Sequence, residues 1–136
     1  MRRLPGPRRG DHASVVPAVN QVELHPYLVQ SEVRAYGNEH GIATEAWSPL
    51  AKGGSLLSEP AVRKLAETYD RTPAQVVLRW HLQRGTIVIP KSVTPSRIAE
   101  NLDVFGFTLT EADLTALSSL DRDERTGPDP NTFNVA

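Results

Sequence analysis

The sequence has no cysteine, which excludes disulfide frameworks, thiolate nucleophiles and cysteine-ligated zinc or iron–sulfur centres, and fits a cytoplasmic protein. An excess of charge is missing too. With 15 basic and 16 acidic side chains the formal balance is -1, so no global field favours nucleic acid or an anionic membrane surface, and any anion site must be local. No apolar run approaches a membrane span, and the arginine-rich start is not followed by the apolar stretch of a secretory signal. A soluble, unexported chain is therefore expected. The glycine-rich dinucleotide fingerprint and the phosphate loop of open α/β sheets are also absent. His12, His40 and His81 stand apart without ligand spacing, so no metal site is expected.

What is present fits one folded unit. The length of 136 residues and the 39% hydrophobic content permit a single core. Residues 1–13 crowd arginine, proline and glycine together with almost nothing to bury and read as a disordered leader, leaving residues 14–136 as the folded part. From Val15 short apolar runs alternate with amphipathic stretches. Ala18 to Leu24 reads as a strand with Gln21 and Glu23 on one face and Val22 on the other. Ser31 is the expected N-cap of a helix with Val33, Tyr36 and His40 on one stripe and Gly41 as its stop. Ile42 to Trp47 is a second strand. After the Gly53-Gly54 turn come two helices, Glu59 to Tyr69 with Val62, Leu65, Ala66 and Tyr69 on one stripe, and Pro73 to Arg84. Thr72, Pro73 and Gln75 give the latter a cap, a first-turn proline and a capping box, and Gly85 ends it. Thr86 to Pro90 is a third strand, apolar enough to be covered on both faces. Thr94-Pro95 opens another helix. The last begins at Thr110, with Leu109 and Leu114 as a hydrophobic staple and Leu114, Leu117 and Leu120 as its buried stripe. The segment from Arg122 to Ala136 reads as a loop. Strands separated by helices give an α/β fold of parallel crossovers, compatible with an open doubly wound sheet or with part of a closed barrel.

Three strings carry more than periodicity. VNQVELHPY, EAWSPLAKG and VIPKSVTPSRIAENLDVF resemble the last three strand-end motifs of the aldo-keto reductases, in particular of 2,5-diketo-gluconate reductase-like members. The resemblance runs from about Val16 to Asn134 and is most specific at Lys91, Ser92, Arg97, Glu100 and Asn101. It implies the last three β/α units of a (β/α)8 TIM barrel, with a C-terminal helix and loop. It also implies NADPH at the C-terminal mouth. Gln21 would then hydrogen-bond the nicotinamide carboxamide, Trp47 would lie against its ring, and Ser48, Leu50 and Lys52 would line the pyrophosphate path. Lys91, Ser92 and Arg97 would hold the 2′-phosphate, and Glu100 and Asn101 would contact adenine. The family reduces aldehydes and ketones with a tyrosine donor, a lysine, an aspartate and a histidine, all belonging to the first half of the barrel. Tyr27, Tyr36 and Tyr69 do not stand in the matching motif. The expected catalytic residues in this chain are therefore none, and the expected chain is a truncated one, inactive alone. A carbonyl substrate would be turned over only after completion by an N-terminal half. The alternative is a non-catalytic NADPH-binding module, or an interaction protein that self-associates through open sheet edges.

The phosphate site has a physical case of its own. Lys91 falls at the C-terminal end of a parallel strand and Arg97 in the first turn of the following helix. A cation there opposes the partial positive charge of the helix N-terminus by about 0.3–1 kcal/mol unless an anion offsets both. A dianion would meet a fork of donors from Arg97, a point charge from Lys91, the Ser92 hydroxyl and free helix amides. Trp47 by itself is as well read as core, and only the resemblance turns it into a stacking platform. His25 is assigned a structural role, and Glu23 and Glu45 have no assigned role.

Overall fold

The computed structural model describes residues 17–89 and 103–127, together with Pro95 and Ala99 between them. Three parallel strands form its sheet: β1 (Val19–Glu23), β2 (Ala43–Trp47) and β3 (Ile87–Val88), in the order β1-β2-β3. Gln21 pairs with Glu45 and Glu45 with Ile87, while Val22 pairs with Ala46 and Ala46 with Val88. Because side chains alternate along a strand, this register sorts them cleanly. Val22, Ala46 and Val88 face the core. Gln21, Glu23, Glu45, Trp47 and Ile87 share the opposite face.

The helices follow their local signals. Between β1 and β2 runs α1 (Ser31–His40), between β2 and β3 run α2 (Pro60–Tyr69) and α3 (Pro73–Gln83), and α4 (Glu111–Ser118) closes the described chain. In α2, Val62, Leu65 and Ala66 are buried at the expected spacing. Thr72 Oγ1 accepts from the Gln75 amide at 3.2 Å and Gln75 Oε1 accepts from the Thr72 amide at 2.9 Å, which closes the anticipated box on α3. A second box appears on α4, where Thr110 and Asp113 exchange the same two bonds. There Leu109 and Leu117 are buried, and Leu114 and Leu120 are half-buried against the core. Trp80 sits at the centre without exposure, and its Nε1 donates to Ser118 Oγ at 3.1 Å, tying α3 to α4.

Three local expectations need correction. The residue before α1 is Gln30, in the left-handed region at φ 57°, with no side-chain cap; Ser31 is already helical. Gln30 instead donates from Nε2 to the Glu23 carbonyl at 3.0 Å, so it ties the helix start to the end of β1. The buried stripe of α1 is Val33 and Gly37, not Tyr36 and His40, whose rings stack on each other at 4.0 Å. Glycine wins that position because a Cβ at Gly37 would lie 2.8 Å from the Ile42 carbonyl oxygen. The third strand is two residues long and open on one side. Ile87 is 42% exposed and Ile89 63% exposed, so apolarity there does not mean cover on both faces.

Gly37 supplies a test of this packing. Alanine gains about 1 kcal/mol of helix propensity, but overpacking against backbone typically costs about 1–3 kcal/mol. Gly37→Ala is expected to lose about 1 kcal/mol in urea denaturation, and a raised midpoint would contradict the close approach.

Candidate functional site

The residues just past β1 and β2 and the segment after α4 meet at one end of the sheet. Glu23, the last residue of β1, is 1% exposed. Its Oε2 accepts from the Thr126 amide at 2.6 Å and the Thr126 hydroxyl at 3.0 Å, and lies 2.7 Å from His25 Nε2. Its Oε1 accepts from the Gly127 amide at 3.0 Å. Burial opposes the charge, but the Thr126 amide, His25, the Gly127 amide and the Thr126 hydroxyl outweigh it and hold the carboxyl below its ordinary value. With Glu23 ionised, His25 Nε2 carries the shared proton.

The chain after α4 is stitched across the turn that follows β1. The amides of Arg122 and Glu124 both donate to the Tyr27 carbonyl, at 3.2 and 3.0 Å, and Asp121 Oδ1 accepts from the Val29 amide. The Arg122 guanidinium lies 3.7 Å from the Tyr27 ring centroid. Residues 121–127 thus form a strap held at both ends, and Gly127 meets the rim of the Trp47 indole.

Past β2 the backbone is unusual. Ser48, Ala51 and Lys52 all have positive φ, at 51, 51 and 58°, a rare conformation for side-chain-bearing residues that is concentrated here within five positions. This turn is held from two sides. From the helix side, His81 Nε2 donates to the Pro49 carbonyl at 2.8 Å. From the strap side, Lys52 Nζ donates to the Thr126 carbonyl at 3.1 Å and Ser48 Oγ lies 3.4 Å from Thr126 Oγ1. Burial pushes the His81 imidazole down to about 3, against the pull of the Pro49 bond and helped by the charges of Arg84, His25 and Arg34. It is therefore a neutral donor at neutral pH.

Of the residues singled out from sequence, Trp47, Ser48 and Lys52 lie at this end of the sheet, and Gln21 lies two residues before the end of β1 on the face that carries Glu23. Gln21 is exposed and donates from Nε2 to Glu45 Oε1 at 3.3 Å. Leu50 packs against the core, so only its backbone faces the turn. Lys91, Ser92, Arg97, Glu100 and Asn101 lie outside the described residues. No tyrosine is free to donate a proton at this end. Tyr27 donates to Glu59, with its hydroxyl pKa raised by burial and then by that carboxylate. Tyr69 donates to Asp113, which together with burial raises it as well.

Sequence reasoning missed Glu23 as the anchor of the strap, together with Thr126, Gly127 and the support from His81. A carboxylate on the non-core face at the end of a strand was the available signal. Its partners lie 103 and 104 positions away, which no local pattern reports.

The sequence profile described as the Aldo/keto reductase family matches residues 9–122. The chain belongs to this family. It is 56% identical over 124 residues to an aldo-keto reductase of Mycolicibacterium smegmatis, covering 91% of this chain and 45% of that protein. Similarity to the methylglyoxal reductase DkgA of Yersinia pestis is 53%, with 90% and 45% covered. A crystal structure of a Gox0644 mutant in complex with NADPH superposes with a TM-score of 0.89 at 55% identity, over 94% of this chain and 47% of that one. The chain spans about half the length of the aldo/keto reductases it matches.

His81 sets an acid limit on stability. The unfolded imidazole titrates near 6.5 and the folded one near 3, so between these values the unfolded chain binds the extra proton. The contribution is complete above about pH 6.5 and falls as pH drops toward 3, by up to about 1.4 kcal/mol per unit. His81→Gln keeps an N–H for Pro49 and should show a shallower loss of urea midpoint between pH 7 and 5. Equal slopes in the two proteins would exclude a neutral buried His81.

Proposed function

We propose that this chain supplies the cofactor-holding part of an NADP(H)-dependent oxidoreductase acting on aldehydes or ketones, built as the last three β/α units of a (β/α)8 barrel. The observation that carries this reading is that Trp47, Ser48 and Lys52 stand at the carboxyl ends of parallel strands, where barrel enzymes bind their ligands, with Gln21 two residues before the end of β1. Membership of the aldo/keto reductase family, with a structural neighbour crystallised with NADPH, supports it.

The residues present fit such a cofactor. No described residue bonds the Gln21 amide oxygen, and the group is well placed in chemical type for a carboxamide. Trp47 offers a half-buried aromatic surface for a flat ring. The Ser48 hydroxyl and the Lys52 ammonium sit side by side as donors for a pyrophosphate, with the backbone at Leu50 between them. Lys91, Ser92 and Arg97 take the 2′-phosphate, and Glu100 and Asn101 the adenine. When bound, NADPH supplies the hydride; this chain's residues bind and orient it. Proton donation is not among their roles, because Tyr27 and Tyr69 are committed to carboxylates with raised pKa values.

The open face and the two edge strands also fit this reading. Val19, Ile87 and Ile89 are exposed apolar residues on a sheet whose helices cover the other side. Such a face and such edges suit completion by further strands, or self-association where none are supplied.

Calorimetric titration is expected to give binding of NADPH well above NADH. Charge-assisted contacts are worth about 1.5–3 kcal/mol each, so Lys91→Ala with Arg97→Ala should reduce that preference by tenfold or more. An unchanged preference excludes the phosphate assignment. Mixed with NADPH and an aldehyde, the 136-residue chain alone is expected to show no turnover above the buffer rate. Turnover by the purified chain would overturn the division of labour proposed here.

A further inference from the structure

Glu23 is more heavily invested than a structural carboxylate at a strand end needs to be. It accepts from two backbone amides and a hydroxyl of Thr126 and Gly127, and the imidazole of His25 completes its shell. Every one of these partners is a donor, so only a group with acceptors on both oxygens satisfies them. The consequence is a fixed position for Gly127, and Gly127 touches one thing of interest. A Cβ on this residue would lie 2.3 Å from Trp47 Cη2, 3.0 Å from Cζ3 and 3.4 Å from Cζ2. A point stacked over the ring would be nearly equidistant from these atoms. The spread puts it beyond the outer edge of the six-membered ring, approached in the ring plane. The strap's glycine therefore buttresses the rim of the indole and does not stack on its face.

We infer that Glu23 and Gly127 are positioning residues for the cofactor: the buried carboxylate latches the Thr126–Gly127 strap, and the strap's glycine sets the plane of Trp47 so that the nicotinamide ring meets a fixed aromatic surface. This rests on the NADP(H) reading above. The latch and the anchor of the pyrophosphate path share one residue, since Thr126 also holds Ser48 and Lys52. Displacing the strap thus disturbs the ring platform and the neighbouring donors together. The adenosine end of the dinucleotide is assigned to other residues, Lys91, Ser92 and Arg97. Absence of a side chain at 127 is a requirement of contact, because even alanine would overlap the indole and turn it.

The test separates the latch from the cofactor. Indole N–H signals of Trp47 and Trp80 are followed by 15N-resolved NMR in the ligand-free chain, with Trp80, bonded to Ser118 in the core, reporting whether the fold is intact. Glu23→Gln places an amide N–H₂ among donors, and Gly127→Val pushes directly on the rim while keeping the backbone amide that donates to Glu23. Both are expected to move or broaden the Trp47 signal while Trp80 stays in place. If Glu23→Gln moves Trp80 as well, Gly127→Val alone decides. A Trp47 signal unchanged in Gly127→Val overturns the proposal whatever the cofactor does. In binding, both variants should lose NADPH affinity by on the order of tenfold, with affinity for adenosine 2′,5′-bisphosphate, which lacks the nicotinamide, unchanged. Equal losses for the two ligands would reduce Glu23 to a general structural role and also overturn it. If wild-type chain binds neither ligand while Trp47 responds to both substitutions, the buttress stands and the cofactor reading fails.

Discussion

A carboxylate cannot be taken out of water at the end of a strand unless donors replace the water it leaves, and Glu23 meets that condition with groups drawn from the far end of the chain. Hydrogen bonds to a charged group contribute roughly 1.5–3 kcal/mol each, and leaving such a group unpaired costs several times that. The residue therefore enforces a choice. Either the strap lies across the sheet end, or a charge is buried without partners. That constraint fixes residues 125–127 and, through them, the surroundings of Trp47, Ser48 and Lys52. The short turn after β1, with Tyr27 accepting from two strap amides, works in the same direction.

The sheet itself is built one-sided. Val22, Ala46 and Val88 bury their side chains under the helices, while the opposite register carries Gln21, Glu23, Glu45 and Trp47, polar or amphipathic residues mixed with exposed Ile87. A solvent-facing side of a free-standing sheet would read polar throughout; the interior of a closed barrel would read apolar and branched. This face is neither. Val19 lies at the foot of β1, Gln21, Glu45 and Ile87 share one level above it, and Glu23 and Trp47 stand at the carboxyl end, so polar and apolar side chains are mixed along the face.

Much of this was legible because its causes are local. Thr72, Pro73 and Gln75 carry their own start signal within four residues, and α3 begins where they say. The alternation of Gln21, Val22 and Glu23 sorted both faces of β1 correctly before any partner strand was known. Where sequence reasoning slipped, a tertiary neighbour had intervened. Ser31 is a good cap by type, but Gln30 is drawn to the Glu23 carbonyl and takes the boundary. His40 sits on the stripe of Val33 by period, but the close approach of β2 selects a residue without a side chain, and Gly37 takes the contact. Ile87 and Ile89 are apolar, yet the described residues do not cover them. In the site, motifs could single out Gln21, Trp47, Ser48, Leu50 and Lys52 but not their supports, since Glu23, Thr126 and Gly127 share no spacing that a linear pattern can carry.

The turn after β2 shows why those supports matter. Three residues with side chains hold positive φ there, a conformation that costs on the order of 1–2 kcal/mol each for residues other than glycine, asparagine or aspartate. A strained turn stays put only when its surroundings over-determine it. Here it is gripped from two sides, by a neutral imidazole of α3 at the Pro49 carbonyl and by the strap at Ser48 and Lys52. Neither grip is rigid alone, since one is a single hydrogen bond and the other includes an exposed lysine. Together they make the position of Lys52 and the plane of Trp47 depend on two separate later segments of the chain, one in α3 and one in the strap. Substitutions at His81 or Thr126 would therefore act on the same turn through different routes, and their effects should not add independently.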